Sequence, residues 1–474
     1  MRIYHLLFLL IYLHISYKLS SQNWAQVSEP SNTVTRILID TPKNVMYIGG
    51  GFKYFDSIVV NGIVQWDGVN AFPLGMGRSK DCWEQNCFDL VLLVKFNNEI
   101  YIGRISDSIS GVAAKGIARW NGQSWTDVGG GVSNLKTGES AIPFDGYAYE
   151  GKLLIGGAFD QAGTDTIYSL SAWDNTKWQS LYVPPSQSGE SHFITSLSYY
   201  KDRLYAAGNF IMYLDGEVTH DIAYLEDSIW HPVAGGLKGG LSYVNDMVVF
   251  ENELYICGYF QSAAGNVGNK IMRWDGHCWK SVGDGLCSQF DIAERMLIHN
   301  NQLFVVGTFE CVNNEIPASC IASWDGDKWC SFGNSKFNNK IRDIAFWNDD
   351  LYIGGGFTEI DGHPVKYFAK WVGDHTTDTC SAPVVSVPAQ PGGRPSLALR
   401  PNPVSDMLRV ALPKAAVTVR VYDLAGREMS GKTTLRASEA LEAVLEVEAL
   451  PAGWYLLQVV FRDGSSAAAG FVKT

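Results

Sequence analysis

The chain predicts an all-β fold: a seven-bladed β-propeller closed by an N-terminal strand, followed by a small Ig-like β-sandwich. Three observations carry this expectation. A short apolar strand ending in glycine recurs along the chain, aromatic markers follow it at fixed offsets, and the composition changes abruptly near residue 381.

The recurrent strand is Tyr47-Ile48-Gly49-Gly50. Later copies start at Tyr101, Leu154, Tyr205, Tyr255, Phe304 and Tyr352, so the spacing falls steadily from 54 to 48 residues. A period near fifty, built of short apolar runs and turn signals, is the mark of a propeller, and seven copies mean seven blades. Each period reads as four strands. A first strand such as residues 341–347 meets a tight polar turn, and the Gly-bearing strand follows. After a longer loop, a third strand ends at Trp66, Trp120, Trp173, Trp274, Trp324 or Trp371, with Leu225 in the fourth copy. An Asp-Gly or Asn-Gly reversal, suited to a type I′ hairpin, leads in most copies to a fourth strand opening at Trp125, Trp178, Trp230, Trp279 or Trp329.

The seventh copy lacks its last strand, because Thr376 stands where the aromatic should be. Trp24-Ala25-Gln26-Val27 matches Trp125-Thr126-Asp127-Val128, so the N-terminal strand is expected to complete the seventh blade. Closure of this kind removes exposed edges. Residues 1–21 read as a secretory signal: about ten apolar residues are too few to span a bilayer, which needs roughly twenty. The propeller is then assigned to residues 22–375, a Pro/Gly-rich linker to 376–396 and the sandwich to 397–474. The linker has four prolines and two glycines between 381 and 395, and from Ser381 onward there is no Ile, His or Cys. Alternating runs at 407–412, 417–422, 444–450 and 455–461 supply its strands, with weaker candidates at 396–399 and 470–473.

The tail resembles the type A sorting domain of the type IX secretion system. The motifs that carry the resemblance are Pro401-Asn402-Pro403 with Leu408 five residues later, the segment from Val421 through Gly426 to Arg427, Gly453-Trp454-Tyr455, and the terminal basic residue Lys473. The resemblance implies a Gram-negative bacterium, recognition by the type IX machinery and delivery through the periplasm to the outer surface or the medium. Through its Gly-Gly strand and two aromatic markers, the N-terminal region resembles kelch-type and galactose-oxidase-type propellers. That likeness is to an architecture and carries no activity.

Charge and composition narrow the function. A net charge of −12 argues against nucleic acid and anionic membrane as partners, and no later run is long and apolar enough for a membrane helix. The Asp-Gly turns sit where sialidase Asp-boxes do, but their glycine follows the aspartate directly, so they read as turn formers. Seven histidines from His192 to His375 show no ligand spacing, and no nucleophile elbow, P-loop or zinc-protease motif occurs. No catalytic residue, metal site or cofactor is therefore expected. The nine cysteines permit disulfides in an exported chain. Cys82–Cys87 and Cys311–Cys320 are the expected pairs, and Cys257, inside a Gly-bearing strand, reads as a buried thiol.

The long connections, between strands two and three and between blades, must share one side of the ring. Candidate contact residues there are Trp83, Tyr54, Phe55, Tyr213 and Tyr367. The expectation is a noncatalytic binding or adhesion protein whose partner is an extracellular protein or glycan. The alternative is a carbohydrate-active enzyme, a glycoside hydrolase or lyase, with its site over the central channel.

Overall fold

The computed structural model describes residues 23–75, 90–104, 107–181, 192–214, 216–239, 242–288, 290–314, 316–332, 335–373, 378–379, 397–400, 404–412, 416–423, 429, 434–439, 442–461 and 466–474. The chain is all-β and divides into two units, Met1–Pro383 and Val384–Thr474. Among the described residues no helix is long and apolar enough to cross a membrane.

The first unit contains seven antiparallel sheets that share one plan, each strand pairing with the next in sequence. Their first strands are Val34–Asp40, Leu92–Phe96, Ile142–Tyr149, Phe193–Tyr200, Tyr243–Phe250, Ile292–His299 and Ile341–Trp347, and these number the sheets one to seven. Each first strand neighbours the first strand of the next sheet, and that of sheet seven neighbours that of sheet one. The outer strand of sheet seven is Trp24–Gln26, paired in register Trp24↔Trp371 and Gln26↔Ala369. Sheet six has a fifth strand, Asp378–Thr379, opposite Phe332 and Ser331. Two residues of the segment expected to be linker, Asp378 and Thr379, are thus paired to sheet six.

Side chains on the sheet faces explain the aromatic markers. In sheets two, three, five and six the third- and fourth-strand tryptophans are cross-strand partners with ring centroids 5.2–5.4 Å apart. The fourth-strand indole then reaches the preceding sheet: Trp125 donates to the Leu74 carbonyl at 2.7 Å, Trp178 to Val128 at 2.9 Å and Trp329 to Val282 at 2.8 Å. One side chain thereby fills the gap between sheets and satisfies a loop carbonyl. Glycines in the second strands matter for the same packing. A Cβ on Gly156 would come within 2.7 Å of Ile194, and one on Gly354 within 2.4 Å of Val34, both side chains of the next sheet.

The turns differ from expectation in type. In the Asp-Gly turns between strands three and four only the glycine has positive φ (Gly68 +99°, Gly276 +100°, Gly326 +102°), so these are not type I′ turns, whereas Asp227-Ser228 of sheet four (49° and 66°) has both residues there. The preceding aspartate supplies the rest of the geometry: Asp275 Oδ1 accepts the amides of His277 at 2.7 Å and Cys278 at 2.8 Å, and Asp325 repeats the pattern. Type I′ pairs also recur between strands one and two, as in Asn97-Asn98 (φ 47° and 66°) and Asn348-Asp349 (52° and 64°). Asn and Asp tolerate the left-handed region.

In the second unit, Ala398–Arg400, Met407–Ala411, Glu442–Glu446 and Thr434–Glu439 form one sheet, and Ala416–Asp423, Gly453–Phe461 and Ser466–Lys473 another. Leu408, Val410, Leu445, Val421, Tyr455, Leu457, Val459 and Phe471 form one core from both sheets. The alternation of Tyr455, Leu457, Val459 and Phe461 is that of a strand with one buried face. Sequence patterning overlooked strand Thr434–Glu439, because its Ser, Arg and Glu leave no apolar alternation to read.

Candidate functional site

Strands two and three are joined by a small hairpin in most sheets of the first unit. Tyr54–Phe55 with Ile58–Val59, Cys311–Val312 with Ile316–Pro317, and Glu359–Ile360 with His363–Pro364 are examples. In sheet four the hairpin is continuous with the long strands Arg203–Leu214 and Glu217–Glu226. A phenylalanine just past the Gly-bearing strand anchors this layer: Phe52, Phe159, Phe210, Phe260, Phe309 and Phe357 are all buried. It sits five residues after the start of six of the seven copies, with Ser106 there in the second, a regularity that sequence reading missed.

Two expected contact residues stand out on these hairpins. Tyr54 is 39% exposed and pairs across the hairpin with Val59, 49% exposed. Tyr213 is 56% exposed and pairs with Val218, 39% exposed. The opposite face of the sheet-four hairpin is core, with Met212, Leu214 and Thr219 buried. Lys53 Nζ lies 5.3 Å from the centre of the Tyr54 ring.

Phe55 is corrected, and Tyr367 is half-buried. Phe55 is fully buried, with its ring centre 5.9 Å from that of Phe52 and 6.2 Å from that of Phe368, because it points to the opposite side of the hairpin from Tyr54. Tyr367 (φ +63°) occupies a position repeated before the third strand, shared with Gly116, Ser169, Asp221, Lys270 and Cys320. Its amide donates to Phe357, its carbonyl accepts from Gly355, and its ring packs on the core between sheets seven and one. Trp83, Cys82 and Cys87 lie outside the described residues.

The cysteine pairing is also corrected. Cys311 is bonded to Cys287, and Cys320 is a buried free thiol. The hairpin register sets Cys311 opposite Pro317, three residues short of Cys320, while its other side faces the incoming loop where the Cys287 amide donates to the Cys311 carbonyl. Cys330 is disulfide-bonded as well. Cys257 is a buried free thiol, as expected.

A cluster that sequence reading did not anticipate lies where the first strands converge. Arg36, Asp145, Ser196, Asp246, Arg295 and Asp343 hold equivalent places, each just after a bulge. Four of them accept an amide from the next sheet: Asp145 from Leu197 at 2.8 Å, Ser196 from Met247 at 3.0 Å, Asp246 from Met296 at 2.8 Å, and Asp343 from Ile37 at 2.7 Å. Arg295 Nη1 lies 3.3 Å from Asp246 Oδ1.

Burial raises the Asp145 and Asp343 carboxyls above the ordinary range, although Arg295 opposes it at both and Arg36 also at Asp343. Burial and Arg295 together lower Arg36 to about 10. At Arg295 burial is outweighed by Asp246, Asp343 and Asp145, which hold the guanidinium charged. The signal was available in sequence: a polar residue nine positions before the start in five of the copies. Both oxygens of Asp246 and of Asp343 are engaged, by Met247 and Met296 and by Ile344 and Ile37 respectively. This arrangement clamps neighbouring strands together. Among the described residues no cluster has the makings of a metal site.

Residues 398–471 match the secretion system C-terminal sorting domain family. The chain is therefore marked for export to the surface or exterior of a Gram-negative bacterium, and its tail is a segment of the kind the secretion machinery recognises. The structure is also similar to the WD40 repeats of RRP9, with 11% identity, 74% of this chain and 97% of that one covered, and a TM-score of 0.43. U3-55K follows at 10% identity, 74% and 98% coverage and TM-score 0.42; YjhT at 13%, 66% and 97%, and 0.33. No curated protein matches the sequence.

Proposed function

We propose that the first unit is a closed seven-bladed propeller that binds an extracellular protein or glycan without catalysis, and that the second is a detachable Ig-like sandwich serving export. The unbroken succession of first strands and the pairing of Trp24–Gln26 with Phe368–Trp371 support the ring. In this reading residues 1–21 are a signal, 22–375 the propeller and 397–474 the sorting domain.

The observation that carries binding is the pair of exposed Tyr–Val couples, Tyr54–Val59 and Tyr213–Val218, on hairpins at one end of the sheets. Tyrosine offers a large amphipathic surface at low entropic cost, and a rigid scaffold presents it. Screening the full chain on glycan and surface-protein arrays should find a partner. Tyr54→Ala and Tyr213→Ala should weaken its binding at least tenfold with unchanged melting temperature. Binding that survives both changes and is lost on altering the Asn97-Asn98 or Asn348-Asp349 turns would sink the assignment.

A second reading, a glycoside hydrolase or lyase at the channel, draws on the raised carboxyls of Asp145 and Asp343. The engagement of both Asp343 oxygens by backbone amides weighs against it.

A further inference from the structure

We infer that a cavity between sheets six and seven is a binding site for a small zwitterion, an α-amino acid with an apolar side chain. It is independent of the Tyr54 and Tyr213 surface. The cavity has a volume of about 300 Å³ and lies between the sheet-six hairpin and the segment entering sheet seven, with Glu310, Pro317, Ser319, Ser335, Lys336 and Phe337 in its wall. That volume is at the small end of ligand sites, roughly 300–1,000 Å³.

The wall is chemically sorted. Pro317 and the edge of Phe337 are apolar, and Phe337 is held by Trp24 and Phe357, with ring centres 5.7 and 5.5 Å away. Glu310 brings a carboxylate and Lys336 an ammonium. Both are exposed, and among the described residues neither forms an ion pair or a side-chain hydrogen bond.

Their backbones, by contrast, are pinned. The Glu310 carbonyl accepts the Ala318 amide at 2.9 Å, the Lys336 amide donates to Asp361 at 2.7 Å, and the Phe337 amide donates to Ser319 Oγ at 3.1 Å. The Cys287–Cys311 bond ties down the hairpin beside Glu310. One observation besides the shape points to a polar guest. Among the described residues the buried Ser335 hydroxyl in this wall has no hydrogen-bond partner, which is costly for a polar group out of water.

A ligand with an ammonium for Glu310, a carboxylate for Lys336 and an apolar side chain for Pro317 and Phe337 matches all three wall chemistries. The pinned backbone on both sides lowers the ordering cost of binding to that of the two charged side chains.

Calorimetric titration of the full chain with L-leucine, leucinamide, N-acetyl-L-leucine and glucose tests this. L-leucine should saturate one site, and each blocked analogue should bind at least tenfold more weakly. Glu310→Gln should bring leucine and N-acetyl-leucine to within about threefold of each other, and Lys336→Met should do the same for leucine and leucinamide. Both side chains are exposed, so unchanged melting temperatures separate lost binding from lost folding; Tyr54→Ala should leave leucine binding intact. Absence of saturable leucine binding, analogue ratios indifferent to both variants, or glucose binding as tightly as leucine would each overturn the inference.

Discussion

Replacing Asp221 by Asn should stabilise the first unit at alkaline pH and leave it nearly unchanged in acid. Asp221 is 4% exposed. Its Oδ1 accepts the Phe210 amide at 3.1 Å, and its Oδ2 accepts the Ser242 hydroxyl at 2.5 Å. No cation is among the causes that set its acidity: burial raises the carboxyl from 3.8 to about 7, and the two hydrogen bonds only moderate the rise.

The sign follows from proton counting. Between pH 4 and 7 the unfolded chain has released this proton while the folded chain keeps it, so stability falls as pH rises and levels off above about 7. A rise of about three units corresponds to about 4 kcal/mol at pH 8, of which about 1.5 kcal/mol is already present at pH 5. Asparagine keeps the acceptor for Phe210, can donate to Ser242, and tolerates the φ of +65° at this position.

Urea unfolding followed by tryptophan fluorescence at pH 5 and pH 8 reads the difference. The variant should gain about 2–3 kcal/mol more over the parent at pH 8 than at pH 5. Parallel shifts at both pH values, or a variant less stable at pH 8, would refute a buried uncompensated carboxylate.

Trp24 is fully buried, with its ring centre 5.1 Å from that of Trp371, and Trp24→Ala should cost about 3–5 kcal/mol in the same assay. Deleting residues 22–30 should in addition expose the Phe368–Trp371 edge and cause aggregation; a truncated chain that melts like the parent would refute closure. Non-reducing peptide mapping should recover Cys287 linked to Cys311, with Cys320 alkylated only after unfolding. Removing that bond, which closes a separation of 24 residues, should cost about 3 kcal/mol. A Cys311–Cys320 peptide would contradict the structure.

Much of the scaffold was legible in the chain because it repeats. A strand that packs against equivalent neighbours needs a large apolar or aromatic residue at the same offset each time, so Tyr47, Tyr101, Leu154, Tyr205, Tyr255, Phe304 and Tyr352, all buried, mark the repeat. The match of Trp24 to the fourth-strand pattern foretold its pairing with Trp371 for the same reason. The sorting tail was readable from ordered motifs, of which Leu408 and Tyr455 prove to be core residues.

What escaped depends on residues distant in sequence meeting in space. The convergence of Arg36, Asp145, Asp246, Arg295 and Asp343 carries Asp in three copies and Arg in two others, so its charge does not repeat from copy to copy. Its electrostatics exist only once the first strands lie side by side. The Cys287–Cys311 bond and the burial of Phe55 beside the exposed Tyr54 are likewise decided by which side of a two-residue strand faces the core. Periodicity in the sequence set the repeated four-stranded sheets, because much of their packing recurs. Only the folded chain determined the individual sites, because each is made where neighbouring sheets differ.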